Sequence, residues 1–231
     1  MSGAPGSPPG EWRFLQLTIF IAAWMLVSPH LSDRWIVQVL LQIFLANSVL
    51  VTLWANPQWV RMRRLLIALW LVSLGGSLVA VLPLESAWQQ LGRTTEAAAS
   101  IPLLALLAAG MLLYAFGRET LTPDGIFATV AAYLLVAFLF AQVYLLALTW
   151  NPDSFSLPVA AGERSTQQLQ GDMMYFSLVT LATLGYGDML PRGDTVRAVA
   201  VIEAVVGQFY VAVIVAVFVG MYAARLRTDR P

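Results

Sequence analysis

TLATLGYGD, at residues 180–188, places two glycines on either side of a tyrosine and an aspartate after them. Successive backbone carbonyls can face one axis only if some residues adopt a positive φ, which glycine permits and a Cβ disfavours. A row of carbonyl oxygens of this kind can replace the hydration shell of a potassium ion. One chain supplies only one wall of such a row, so the stretch predicts a ring of identical copies.

The string resembles the selectivity-filter signature of potassium channels, which usually reads T-x-x-T-V-G-Y-G-D. It departs from that signature only at Leu184, where the family usually has valine. The resemblance to the family's pore module runs from about residue 125 to about residue 225. It identifies the chain as similar to a six-span bacterial-type potassium channel. We call residues 183–188 the filter segment.

Composition indicates an integral membrane protein. Hydrophobic residues make up 59% of the chain and charged residues 11%, against about 25% charged in a soluble domain. The 13 basic and 13 acidic residues cancel, so we expect no nucleic-acid partner. The sequence shows no nucleophile–base pair, metal-ligand cluster or phosphate loop. We therefore expect no enzymatic activity, and no cofactor apart from permeant potassium ions.

Six apolar segments predict an all-α membrane protein with six transmembrane helices. They are residues 14–27 (extending to about residue 30), 35–54, 65–82, 97–116, 126–149 and 195–225. Before the filter segment, residues 172–182 predict a short re-entrant pore helix, with Asp172 near its start as an N-terminal cap or a partner of the helix dipole.

The fifth helix has clear start signals. Thr122 is a suitable N-cap, Pro123 suits the first helical position, and Asp124 suits the positive end of the helix dipole. These signals predict a helix that begins at Pro123.

The segments divide the chain into four predicted parts. These are a disordered N-terminal tail (1–12), a four-span accessory membrane domain (13–117), a pore domain (118–225) and a short C-terminal tail (226–231). The pore domain comprises an outer helix, an extracellular turret at residues 151–171, the pore helix, the filter segment and an inner helix. We expect no cytoplasmic ligand-binding domain. The fourth span, residues 97–116, contains no Arg or Lys, so the accessory domain should not sense voltage through a charged helix.

Basic residues set the predicted orientation. Three arginines lie between the second and third spans, and three lie at or beyond the end of the sixth: Arg61, Arg63, Arg64, Arg225, Arg227 and Arg230. With six spans, the positive-inside rule places both clusters and both termini in the cytoplasm. Tryptophans fall at the segment ends, as in an interfacial belt: Trp12, Trp35, Trp54, Trp59, Trp88 and Trp150. We expect a multi-pass protein of the cell (inner) membrane, surrounded by lipid.

The family resemblance implies roles for the filter residues. The ion-binding residues it implies are Thr183, Leu184, Gly185, Tyr186 and Gly187. Potassium ions are expected at the carbonyls of the first four and at the Thr183 hydroxyl. The resemblance also implies a homotetramer that conducts potassium passively, with the Leu184 side chain directed away from the ions.

The resemblance further implies residues that support the filter segment. In the family the filter tyrosine points outward, and its candidate braces here are Tyr175, Phe176 and Thr180. Asp188 matches the family's acidic residue at the filter mouth. Tyr175 stands where the family usually has that acid's tryptophan partner.

Two residues of the last span call for an explanation. Glu203 is the one acid well inside a predicted span, and a charge there costs roughly 2.5–3.5 kcal/mol on insertion scales. It is predicted to tie the span to the pore helix, with an ion-attracting or protonatable role as the alternative. Gly207 matches the family's flexible inner-helix glycine, which implies a gating hinge. Close packing against the pore helix is the alternative for Gly207.

Three other functions remain open from the sequence. Leu184 allows a poorly selective cation channel. A potassium transporter subunit would use a related pore loop, although such proteins normally carry four degenerate repeats in one chain. A non-conducting membrane scaffold or sensor is the third alternative, and the intact filter string argues against it.

Overall fold

The computed structural model of the protein describes residues 13–27, 34–117, 122–157 and 165–228, most of which are helical. The helices are α1 (Arg13–Val27), α2 (Arg34–Ala55), α3 (Val60–Val81), α4 (Ser86–Phe116), α5 (Pro123–Trp150), α6 (Thr166–Leu181) and α7 (Asp194–Thr228). The predicted N-terminal tail and residues 229–231 lie outside the described residues. The all-α membrane class is confirmed.

Five helices of the described residues are long and apolar enough to cross a membrane: α2, α3, α4, α5 and α7. Helices suit this role because each satisfies its own backbone hydrogen bonds away from water. α1 has 15 residues, which extend about 22 Å against a hydrocarbon core of about 30 Å. A sixth crossing by α1 therefore stays a prediction.

α4 is central to the helix packing, with α3 on one side and α5 on the other. Its contact with α3 is made by backbone. A Cβ added to Gly76 would lie 2.6 Å from the backbone nitrogen of Glu96, and one on Gly92 would lie 2.6 Å from that of Ala80. Small residues at helix contacts commonly allow this approach in membranes. α4 begins at Ser86, earlier than the predicted fourth span, so that Arg93 lies within the helix.

The start of α5 agrees with its predicted signals. The Thr122 side chain accepts a hydrogen bond from the Gly125 backbone N–H, and Pro123 opens the helix. Asp124 also holds two other helices: it accepts the backbone N–H of Phe14 at 3.2 Å and the Tyr114 hydroxyl at 2.9 Å. This buried carboxyl group joins the beginning of α1 and the end of α4 to the first turn of α5.

The pore helix begins earlier than predicted. α6 starts at Thr166, with Ser165 as its N-cap and Gln168 completing a capping box. Asp172 lies beyond the first turn, so the prediction that it caps the helix or partners its dipole at the start was wrong. A serine followed three residues later by a glutamine satisfies two backbone donors reciprocally, and this pair lies upstream of Asp172. Part of the predicted turret is therefore helix.

A short antiparallel pairing closes the loop that contains α6. β1 (Phe155–Ser156) pairs with β2 (Leu190–Pro191), and the Arg192 backbone N–H donates to the Ser154 carbonyl at 2.7 Å. The segment before the pore helix is thus joined to the segment after the filter segment. α7 then extends for 35 residues, about 52 Å, and continues past the predicted end of the pore domain.

Candidate functional site

The filter segment has a backbone that alternates in handedness. Thr183, Gly185 and Gly187 have φ of 57°, 57° and 77°, whereas the residues between them do not have positive φ. Every second residue therefore occupies the left-handed region, which two of the three positions meet with glycine. The alternation turns successive peptide planes, as a row of carbonyls facing one axis requires.

α6 leads directly into this segment. The backbone N–H of Thr183 donates to the Thr180 carbonyl at 2.9 Å, and that of Leu184 donates to the Val179 carbonyl at 2.8 Å. These two hydrogen bonds therefore join the last turn of α6 to the first two residues of the filter segment. The C-terminal end of a helix carries roughly half a negative charge, so the entry to the segment is favourable to a cation.

Aromatic and acidic side chains meet beside the filter segment. The Tyr175 hydroxyl donates to an Asp188 carboxylate oxygen at 2.9 Å, and the Tyr175 and Tyr186 rings stack with centroids 6.4 Å apart. Tyr175 thus contacts both residues for which the sequence proposed it as a partner.

Phe176 and Thr180 lie elsewhere around α6. The Phe176 ring packs edge-on against Tyr144 and Phe155, with centroids 5.1 Å away in each case, on the side of α6 that faces α5. No hydrogen bond joins the Thr180 side chain to the Tyr186 hydroxyl within the described part of the chain. The support of the filter segment by these two residues stays a prediction.

Glu203 lies fully buried between three helices. Its carboxyl group accepts the Tyr144 hydroxyl of α5 at 2.6 Å and makes a short hydrogen bond with the Ser177 hydroxyl of α6. The Ser177 oxygen also lies 2.7 Å from the Ala137 carbonyl. Ser177 has a single hydroxyl hydrogen, so the two Ser177 contacts are met either by sharing that hydrogen between Glu203 and Ala137 or by a hydrogen on the Glu203 carboxyl group that is donated to Ser177.

Gly207 lies where α7 crosses the end of α6. A Cβ at this position would overlap the Leu181 carbonyl group, reaching 2.9 Å from its carbon atom. The glycine therefore allows direct backbone contact between α7 and the last turn of α6. It lies four residues after Glu203 on α7. This geometry favours the packing alternative, and the hinge stays a prediction.

We expect Gly207→Ala to lower the thermal stability of the assembly markedly, because the added methyl group must displace backbone atoms rather than a flexible side chain. The thermal stability of the detergent-purified assembly is the measurement. Gly220→Ala is the matched control, since it lies on the same helix with no atom within 4 Å of the added Cβ. A Gly207→Ala protein with unchanged stability and altered open probability would favour the hinge instead.

Sequence reasoning missed several partners of these residues. Tyr144 and Ser177, which hold Glu203, are polar residues in otherwise apolar segments, and this was the available signal. Glu96 was also missed because it immediately precedes the predicted fourth span. It is buried in α4, and the Gln38 amide donates to it at 2.5 Å.

Comparisons with known proteins agree on the pore region. The sequence model of a family described as "Ion channel" matches residues 103–224, just over half of the chain. Protein LctB of Bacillus caldotenax is 33% identical over 95 residues, covering 41% of this chain and 70% of that protein. Two pore potassium channel a of Oryza sativa subsp. japonica is 35% identical over 81 residues, covering 35% of this chain and 21% of that protein. No solved structure matches the chain.

Proposed function

The chain belongs to the potassium channel family of pore-loop ion channels, and on this premise we propose that it conducts K⁺ selectively and passively through a homotetrameric filter. The observation that carries the proposal is the alternating backbone at Thr183, Gly185 and Gly187. Carbonyls of four such segments around one axis would replace the hydration shell of K⁺. In this proposal the ions bind at Thr183, Leu184, Gly185 and Tyr186.

Exposed apolar surface supports the tetramer. Leu184 and Tyr186 are 58% and 66% exposed in the single chain, although they lie between the positive-φ residues of the filter segment. Only 11% of the Asp194–Gly220 part of α7 is buried within the chain. Neighbouring copies arranged around a shared axis would cover these residues, and a closed ring is the symmetry that a common pore requires.

Leu184 supports one rival within the same class. Leucine is not β-branched and is larger than valine, so its packing behind the filter segment would differ from the usual family pattern. A poorly selective cation channel is therefore the second candidate. A potassium transporter subunit is less well supported, because this chain carries one near-ideal copy of the signature rather than four degenerate ones.

The flux of ions into liposomes that contain the purified protein tests the proposal. We expect K⁺ uptake that external barium blocks, together with a mass of four chains in mild detergent. K⁺ flux without preference over Na⁺ would favour the poorly selective channel. The absence of any flux from a tetramer that is intact by mass would leave the scaffold alternative.

We expect any voltage dependence of conduction to be shallow. One elementary charge that crosses 100 mV contributes about 2.3 kcal/mol, and steep gating needs three or four such charges per subunit. Residues 97–116 of α4 contain no Arg or Lys, and Arg93 is the one basic residue of that helix. Conductance–voltage curves in planar bilayers are the measurement. A steep sigmoid that does not change with the permeant ion would contradict this expectation.

The orientation proposed for the chain is that of the sequence prediction. Both termini are cytoplasmic, which places Arg61, Arg63 and Arg64 on the cytoplasmic side of the cell (inner) membrane. The Asp188 end of the filter segment then faces outward.

A further inference from the structure

A groove opens between α2 and α3 at the end where the two helices are joined. It encloses about 760 Å³. Its walls are mainly apolar and aromatic, and include Leu50, Leu53, Trp54, Trp59, Ile67 and Trp70. α3 packs chiefly on α4 rather than on α2, so the two helices are splayed where the groove lies.

The groove has the length of one membrane leaflet. Along α3 it extends from Val60 to Trp70, which corresponds to about 15 Å at 1.5 Å per residue. The hydrocarbon core is about 30 Å thick, so this is the depth that one acyl chain occupies. Trp54 and Trp59 lie at the end with the turn, where tryptophan marks the membrane–water interface.

The same end of the groove carries positive charge without a balancing acid. Arg63 lines the groove, and Arg61 and Arg64 are exposed beside it. The sequence from residue 34 to residue 84 contains no Asp or Glu, and no ion pair joins these arginines to a carboxylate of the described residues. Their charge is therefore available to a negatively charged group at the membrane surface.

We propose that this groove binds an anionic phospholipid, with one acyl chain between α2 and α3 and the phosphate on Arg63. Basic pockets between transmembrane helices suit anionic head groups, and a guanidinium binds phosphate through two parallel hydrogen bonds. Charge complementarity favours an anionic lipid over a second copy of the chain, because the chain has no net negative charge to match these arginines. The site lies away from the filter segment and does not depend on the proposed conduction.

Tryptophan quenching by bromine-labelled lipids tests the site in the intact protein. The protein is placed in phosphatidylcholine nanodiscs that contain a low fraction of brominated phosphatidylglycerol or, in parallel, brominated phosphatidylcholine. We expect quenching by the anionic lipid to exceed that by the zwitterionic lipid. Arg63→Gln should reduce this preference about fivefold, as expected for one basic residue at an anionic surface.

Arg61→Gln is the matched control. This substitution removes the same charge two residues away on α3. Arg61 is separated from Arg63 by about 200° of helix rotation, and Arg61 does not line the groove. A clearly smaller effect than that of Arg63→Gln supports the site. Equal effects of the two variants would show a general surface potential and overturn the proposal.

Ile67→Trp fills the groove, and its effects distinguish a lipid occupant from a protein occupant. We expect it to reduce the preference for the anionic lipid while the mass of the assembly stays the same. A change in the mass of the assembly with the lipid preference intact would make the groove a contact between copies, and the proposal would fail.

Discussion

Gly185→Ala should strongly reduce the discrimination between K⁺ and Na⁺. Gly185 has a φ of +57°, and an L-residue with a Cβ pays about 1–2 kcal/mol in the left-handed region. A tetramer would incur this strain four times around one axis, so the carbonyl row should relax away from it. Because about 1.4 kcal/mol corresponds to a factor of ten, we expect the permeability ratio to fall about tenfold or more. Reversal potentials under bi-ionic conditions measure it.

Gly193→Ala provides the matched control for this substitution. Gly193 has a φ of +80° and, like Gly185, no atom within 4 Å of an added Cβ. It lies between β2 and α7, outside the filter segment. Gly193→Ala introduces the same backbone strain away from the carbonyl row, so it should leave the permeability ratio unchanged. Equal loss of selectivity in both variants would show that general backbone strain, and not the carbonyl row, determines the result.

Leu184→Val tests the remaining departure from the family signature in the same recordings. We expect selectivity to stay intact or to sharpen, because valine restores the usual packing behind the filter segment. Near-equal permeability of K⁺ and Na⁺ in the unmodified protein, with selectivity gained only in Leu184→Val, would identify a poorly selective channel.

Glu203→Ala should strongly destabilise the pore domain. The substitution leaves the buried Tyr144 hydroxyl without its acceptor, removes the partner of Ser177 and opens a cavity between α5, α6 and α7. An unsatisfied buried polar group costs about 1–3 kcal/mol and a large-to-small core change about 2–5 kcal/mol. We therefore expect a large fall in the melting temperature of the assembly and loss of K⁺ flux, measured by thermal unfolding and by liposome uptake.

Glu203→Gln distinguishes a protonated Glu203 carboxyl group from an ionised one. Glutamine has nearly the same volume, its carbonyl can accept the Tyr144 hydroxyl, and its amide can supply the hydrogen that the Ser177 contact needs. We expect this variant to keep most of the stability and flux that Glu203→Ala loses. If Glu203→Gln is as damaging as Glu203→Ala, then the site needs an ionised carboxylate, with the Ser177 hydrogen shared between Glu203 and Ala137.

Sequence alone determined the features that depend on neighbouring residues and composition. Apolar segments of membrane length predicted the all-α membrane class, because the backbone has few other ways to satisfy its hydrogen bonds in lipid. Thr122, Pro123 and Asp124 predicted the start of α5, because capping is a matter of a few consecutive residues. The glycines of the filter segment predicted positive φ for the same local reason.

Tertiary structure decided the contacts between distant parts of the chain, and it also showed two local features that the sequence prediction missed. The positive φ of Thr183 has no glycine to announce it, and it follows from the turn between α6 and the filter segment. The start of α6 is such a local feature, because the capping box of Ser165 and Gln168 spans four consecutive residues that the prediction of a start at Asp172 overlooked. Glu203 was recognised as a buried acid, but its partners Tyr144 and Ser177 lie 59 and 26 residues away. Such contacts depend on how helices pack, which a local pattern of residues does not specify.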